Sequence, residues 1–135
     1  MLRIRRLTST AIMPSRETTG SAGYDLHSPM EIDIGANCRA LVPLGFAMQL
    51  PLGTYGRITA RSVSRCRISF TVCADAIDQD YRGMVSVLLF NLSSKSIRIR
   101  EGERIAQLIL ERICTPYVEE VHVLDGGSFS TPDSE

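Results

Sequence analysis

Ile77-Asp78-Gln79-Asp80-Tyr81-Arg82-Gly83-Met84-Val85-Ser86-Val87-Leu88-Leu89-Phe90 carries the two signals that decide how this chain folds. Its first half is a polar turn ending in glycine, with two carboxylates, an aromatic ring and an arginine. Its second half is a run of β-branched, aliphatic and aromatic side chains, which suits an extended strand. Because Met84 to Phe90 is almost uniformly apolar, that strand is expected to be buried on both faces.

The same alternation of short apolar runs with Gly, Pro, Ser and Asp recurs outward in both directions. It predicts strands at 2–7, 30–34, 39–42, 46–50, 53–60, 68–72, 84–91, 96–99, 104–113 and 118–123, with a further strand ending the Thr19–Leu26 stretch. In Ser96-Ile97-Arg98-Ile99-Arg100 the isoleucines face one way and the polar residues the other. One run is ambiguous. Ile105, Leu108 and Ile109 fit a helical stripe, whereas Ala106, Leu108 and Leu110 fit a strand face. Strand is preferred because the neighbours are strands. The expected fold class is all-β, an antiparallel sandwich or barrel. One domain spans 1–125, and a short flexible arm rich in Gly, Ser, Thr and Pro follows at 126–135.

With 135 residues, 44% of them hydrophobic, the chain supports a core without disulfide staples. Fifteen basic and fifteen acidic residues cancel, so no global field draws the protein to nucleic acid or membrane, and neither is an expected partner. The four cysteines, Cys38, Cys66, Cys73 and Cys114, form no Cys-x-x-Cys pair, and with only His27 and His122 beside them they argue against zinc. They read as buried free thiols in a reducing compartment. The basic start Met1-Leu2-Arg3-Ile4-Arg5-Arg6 is followed by no apolar stretch, so a cytoplasmic or nuclear protein is expected. Asn91-Leu92-Ser93 fits a glycosylation sequon, read as chance without a secretory route.

Four segments look chemical. Thr19-Gly20-Ser21-Ala22-Gly23-Tyr24-Asp25-Leu26 combines small residues, which let backbone approach a ligand, with the carboxylate of Asp25. Gly56-Arg57-Ile58-Thr59-Ala60-Arg61-Ser62 ends a strand on a guanidinium and a hydroxyl, groups that suit phosphate oxygens. In Ile77 to Gly83 a carboxylate is placed to orient water and accept its proton, and Tyr81 to wall a pocket. In Glu101-Gly102-Glu103-Arg104-Ile105-Ala106-Gln107-Leu108 the exceptions are Arg104 and Gln107, the latter needing a hydrogen-bond partner if buried. Taken singly, each segment reads more readily as a turn, an exposed pair or a backbone contact.

Taken together and in this order, the four segments resemble the ordered motifs of the trimeric dUTPases. The likeness runs from about Gly20 to Asp125 and rests on Gly20-Ser21-Ala22-Gly23-Tyr24-Asp25-Leu26, Ile77-Asp78-Gln79-Asp80-Tyr81-Arg82-Gly83 and Arg104-Ile105-Ala106-Gln107-Leu108-Ile109. The resemblance implies a distorted jelly-roll subunit in a homotrimer with three sites at subunit junctions. It implies magnesium-dependent hydrolysis of dUTP to dUMP and pyrophosphate, with Mg2+ held through the substrate phosphates rather than by protein ligands. By the same likeness Asp78 is the catalytic residue that deprotonates the attacking water. Tyr81 packs on the deoxyribose, Arg61, Ser62 and Gln107 hold phosphate oxygens or the water, and Ile77 borders the nucleotide. Asp25, Arg82 and Arg104 support the site, and the hairpin around 68–76 reads uracil through its backbone.

The chain also departs from the pattern. Pro-Arg-Ser-Gly-Leu is usual where Ala60-Arg61-Ser62-Val63-Ser64 stands, and Val63 is costly if that backbone requires positive φ. Gly-Ala-Gly-Val is usual where Cys73-Ala74-Asp75-Ala76 stands, so Asp75 brings a charge toward the base pocket. The usual Arg-Gly…Gly-Phe-Gly-Ser-Thr-Gly arm is reduced to Gly126-Gly127-Ser128-Phe129-Ser130-Thr131-Pro132, which lacks arginine. A lead-in shorter by about six residues removes on the order of 20 Å of reach. These degenerate positions, Ala60, Val63, Asp75 and Phe129, lead to the expectation of a nucleotide-binding protein with weak or lost hydrolysis. The alternative is a fully active dUTP diphosphatase. A deaminase on the same fold lacks a candidate glutamate in place of Asp78, and a purely structural sandwich would make four ordered motifs a coincidence.

Overall fold

The computed structural model describes residues 1–59 and 76–126 with their side chains and the backbone of 70–73. The described residues form eleven strands and no helix: β1 (Arg3–Arg6), β2 (Gly23–His27), β3 (Ile32–Ile34), β4 (Arg39–Pro43), β5 (Phe46–Gln49), β6 (Thr54–Thr59), β7 (Phe70–Cys73), β8 (Ala76–Ile77), β9 (Ser86–Asn91), β10 (Ile97–Ile99) and β11 (Arg104–Arg112). All pairings are antiparallel. One sheet has the order β2-β11-β6-β8 and another β4-β9-β7, while β1-β5 and β10-β3 are two-stranded ribbons.

A single core lies between the sheets. Leu26, Ile58, Ile77 and Leu108 enter it from the four-stranded sheet, and Val42, Val87 and Leu89 from the three-stranded one. Each fully buried aliphatic side chain contributes about 1.5–3 kcal/mol to that closure. Phe46 and Met48 on β5 and Ile34 and Ile99 on the second ribbon extend the cluster. The all-β expectation holds, and strand is the right reading of 104–112.

The reason for the ambiguity at 104–112 is now visible. On β11, Gln107 stands opposite Asp25 and Ala106 opposite Leu26, but Arg104 stands opposite His27, so one residue is inserted at Ile105. Ile105 and Ala106, adjacent in sequence, are therefore both fully buried. That bulge breaks the period of two and imitates a helical spacing. It also puts Arg104 on the same sheet face as Gln107 and Asp25, where an unbroken ladder would have turned it to the other side.

Other expectations need correction. The predicted strand at 118–123 does not form: Tyr117 and Val118 are fully exposed, and the segment after β11 has no partner strand among the described residues. Cys38 and Cys114 are exposed rather than buried, because one closes the turn before β4 and the other begins the segment after β11. Cys66 lies outside the described residues, as does the side chain of Cys73. β9 is not buried on both faces. Val87, Leu89 and Asn91 are inside, whereas Ser86, Leu88 and Phe90 are half-buried on the outer face. The two-residue β8 went unforeseen, being too short to show a period. Asn91 is wholly buried and its amide nitrogen donates to the carbonyls of Ile34, Gly35 and Lys95, so the sequon asparagine is a structural residue.

Candidate functional site

The four-stranded sheet is apolar on its core face and polar on the other. Cross-strand register places Asp25 beside Gln107 and Gln107 beside Thr59, one row across β2, β11 and β6. Gln107 Nε2 donates to Thr59 Oγ1 at 3.2 Å. Its carboxamide lies over Gly23, where a Cβ would stand 2.4 Å from Oε1. Glycine at 23 is thus a packing requirement of Gln107. Asp25, only 5% exposed, meets Arg104 Nη1 at 3.5 Å, and the same guanidinium nitrogen meets Glu17 at 3.4 Å.

Farther along the same face, Glu111 on β11 accepts from Tyr55 Oη at 2.5 Å and from Arg57 Nη2 at 2.9 Å. Donation from Arg57, and then from Tyr55, holds the Glu111 carboxyl below its usual value. The hydrogen bond it donates to that carboxylate holds Tyr55 above its usual value, and the carboxylate likewise raises Arg57. Tyr55, Arg57, Thr59 and Glu111 were not singled out from sequence. Their signal is the polar period of two in Tyr55-Gly56-Arg57-Ile58-Thr59 and the four-residue spacing of Gln107 and Glu111, which puts both on one strand face.

The Asp78 turn follows β8 directly. Tyr81 N donates to Asp78 O at 3.1 Å, closing the turn, and Tyr81 Oη donates to Met84 O at 2.9 Å. The ring packs so closely over Gly83 that a Cβ there would lie 2.6 Å from its hydroxyl. Arg82 Nη1 folds back onto the carbonyls of Gln79 and Tyr81, at 2.7 and 3.2 Å, and so braces the turn itself. Asp78 and Tyr81 stand exposed at the rim of a cavity of about 390 Å³, with Ile58, Ile77, Met84 and Val85 among its lining. Ile77 also fixes the turn from below, as a core residue opposite Gly56.

Within one chain these two groups do not meet. β8 pairs with β6 through Ile77–Gly56 and Ala76–Arg57, so the Asp78 turn lies at the Thr54 end of β6. A hydrogen bond from Gly53 N to Gln79 Oε1 at 3.4 Å fixes it there. The Asp25–Gln107–Thr59 row lies at the opposite end, roughly 13 Å along the strand. Arg61 and Ser62 follow Thr59 in sequence; with Ala60, Val63, Asp75 and Phe129 they lie outside the described residues.

An antiparallel β sandwich with these two polar groups at separate ends of one strand finds clear relatives. The dUTPase family model matches residues 9–130. The deoxyuridine 5'-triphosphate nucleotidohydrolase of Fowl adenovirus A serotype 1 is 51% identical over 116 residues, which are 86% of this chain and 65% of the adenovirus protein. The Solanum lycopersicum protein of the same name is 46% identical over 123 residues, 91% of this chain and 73% of that one. This chain therefore spans about two thirds of the length of the relatives it matches. A Staphylococcus bacteriophage 80alpha dUTPase variant, solved with dUpNHpp, superposes with a TM-score of 0.88 at 25% identity, covering 95% of this chain and 92% of that one. A dUTPase variant from phage phi11 of S. aureus, described as coordinating a structural Mg(II) ion, has a TM-score of 0.85 at 23% identity, covering 93% and 99%, and speaks to the fold alone.

The chain belongs to the dUTPase family, and its fold is that family's jelly roll.

Proposed function

We propose that this protein is an active dUTP diphosphatase. The observation that carries the reading is the Asp78–Gly83 turn, locked by Tyr81 and Arg82 at the rim of a cavity of about 390 Å³. Relatives named for this hydrolysis at 51% and 46% identity support activity more than they support its loss. In this reading Asp78 orients a water and takes its proton as the oxygen attacks the α-phosphorus. The bond to the bridging oxygen breaks, and pyrophosphate leaves with the electron pair. Tyr81 stacks on the deoxyribose, Ile77 shapes the pocket behind it, and Arg61, Ser62 and Gln107 hold phosphate oxygens. Such a site acts by aligning water and neutralising charge that develops on phosphate.

Among the described residues no three His, Cys, Asp or Glu side chains gather into a metal-binding group. By the family resemblance magnesium is assigned to the substrate, as the triphosphate complex, and Asp78, Tyr81 and Gln107 act on the nucleotide directly. The roughly 13 Å between the Asp78 turn and the Gln107 row supports a site shared between copies, with the turn of one subunit facing the row of another. Exposed apolar side chains at Leu41, Leu52, Tyr117 and Val118 support the same homotrimeric reading.

The second reading, binding with weak or lost turnover, is favoured by Val63, Asp75 and the altered Gly126–Pro132 segment, which lacks arginine. Pyrophosphate release from dUTP with magnesium decides between them. Steady turnover that falls about 10²- to 10⁴-fold in Asp78→Asn supports the active enzyme. Tight dUpNHpp binding without turnover, recovered by Asp75→Gly, supports the second reading and sinks the first.

A further inference from the structure

Arg104 reaches Asp25 only because of the Ile105 insertion in β11, and its guanidinium joins two carboxylates of unlike exposure. Asp25 is nearly buried and stands beside Gln107, while Glu17 is mostly exposed and belongs to the loop that precedes β2. That loop is pinned at further points. Asp25 N donates to Ser15 O at 2.7 Å, Arg16 donates to Thr19 O at 2.8 Å and lies 5.8 Å from the Tyr24 ring centre, and Thr18 and Ser21 hydroxyls meet at 2.9 Å.

We propose that Glu17, Arg104 and Asp25 form a positioning device, in which Arg104 is the positioning residue and Glu17 ties the 16–21 loop to the Asp25–Gln107–Thr59 row. The bulge supplies the aim, the buried carboxylate the anchor, and the exposed carboxylate the tie to the loop. Its action is on Gln107, whose carboxamide is confined between Thr59 Oγ1 and the bare backbone of Gly23. A row held in this way keeps its donors aimed at phosphate without reorganising during the reaction. The proposal deepens the dUTPase reading and rests on it.

The test compares dUTP turnover by the full chain with that of Arg104→Gln, Arg104→Lys and Glu17→Gln, all well below their melting temperatures, with Arg98→Gln on the remote β10 as control. Arg104→Gln is expected to lower kcat by about 10- to 100-fold with KM changed little, because misplacement of a group by an ångström costs rates of that order. Arg104→Lys should restore part of kcat, and Glu17→Gln should lose several-fold. Wild-type kcat in Arg104→Gln, or a loss matched by its unfolded fraction, overturns the device and leaves the enzyme reading intact. An inactive wild-type chain overturns the enzyme reading, and the positioning role with it.

Discussion

At the scale of single residues, two glycines are set by the side chains above them rather than by backbone freedom. Gly83 lies under Tyr81, so Gly83→Ala must push the ring away and cost its bond to Met84 O. A lost hydrogen bond of about 0.5–1.5 kcal/mol corresponds to a KM for dUTP raised several-fold to about tenfold. A KM equal to wild type would show that the ring does not touch substrate. Gly23→Ala should instead displace the Gln107 carboxamide and lower kcat, with the fold kept. Glu111 supplies a pH signature. Its folded value lies below the ordinary 4.5, so its contribution is complete above that pH and is lost as the pH falls through the folded value. Urea midpoints measured from about pH 6 downward should fall less steeply in Glu111→Gln than in wild type.

At the scale of elements, β11 organises the molecule, pairing with both β2 and β6 and carrying Arg104, Gln107 and Glu111 on one face. Ile105 is its wedge. Truncation to alanine at this fully buried site should cost about 2–5 kcal/mol, read from chemical denaturation. Loss below 1 kcal/mol would mean that the bulge relaxes and Ala106 alone fills the space. The Arg-Ile-Ala-Gln run shows what the sequence could and could not say about this strand. Its two adjacent apolar residues between polar ones are the mark of the bulge, yet they fit a helical stripe as readily. Only the ladder to Asp25 and Leu26 separates the two, since it fixes which side chains share a face. The 118–123 run shows the converse, a strand-like pattern with no partner among the described residues, because a pattern names a preference and pairing needs a neighbour.

At the scale of the whole molecule, the separation of the Asp78 turn from the Gln107 row along β6 makes assembly a condition for activity under the proposed function. Light scattering should report three times the chain mass. A melting temperature that rises with protein concentration would follow from the same linkage. A monomer with full turnover would place both groups of one chain in one site, against the register of β6 and β8.

The sequence by itself determined the all-β class, the family and the candidate residues Asp25, Asp78, Tyr81 and Gln107. Side-chain periodicity and ordered motifs are local properties that survive without coordinates. The tertiary structure alone decided that Arg104 faces Asp25, that Tyr55, Arg57 and Glu111 share the face of Gln107, and that Asp78 lies at the other end of β6. The physical reason is register. A single inserted residue turns a side chain from one face of a sheet to the other, and a two-residue strand such as β8 decides at which end a turn emerges.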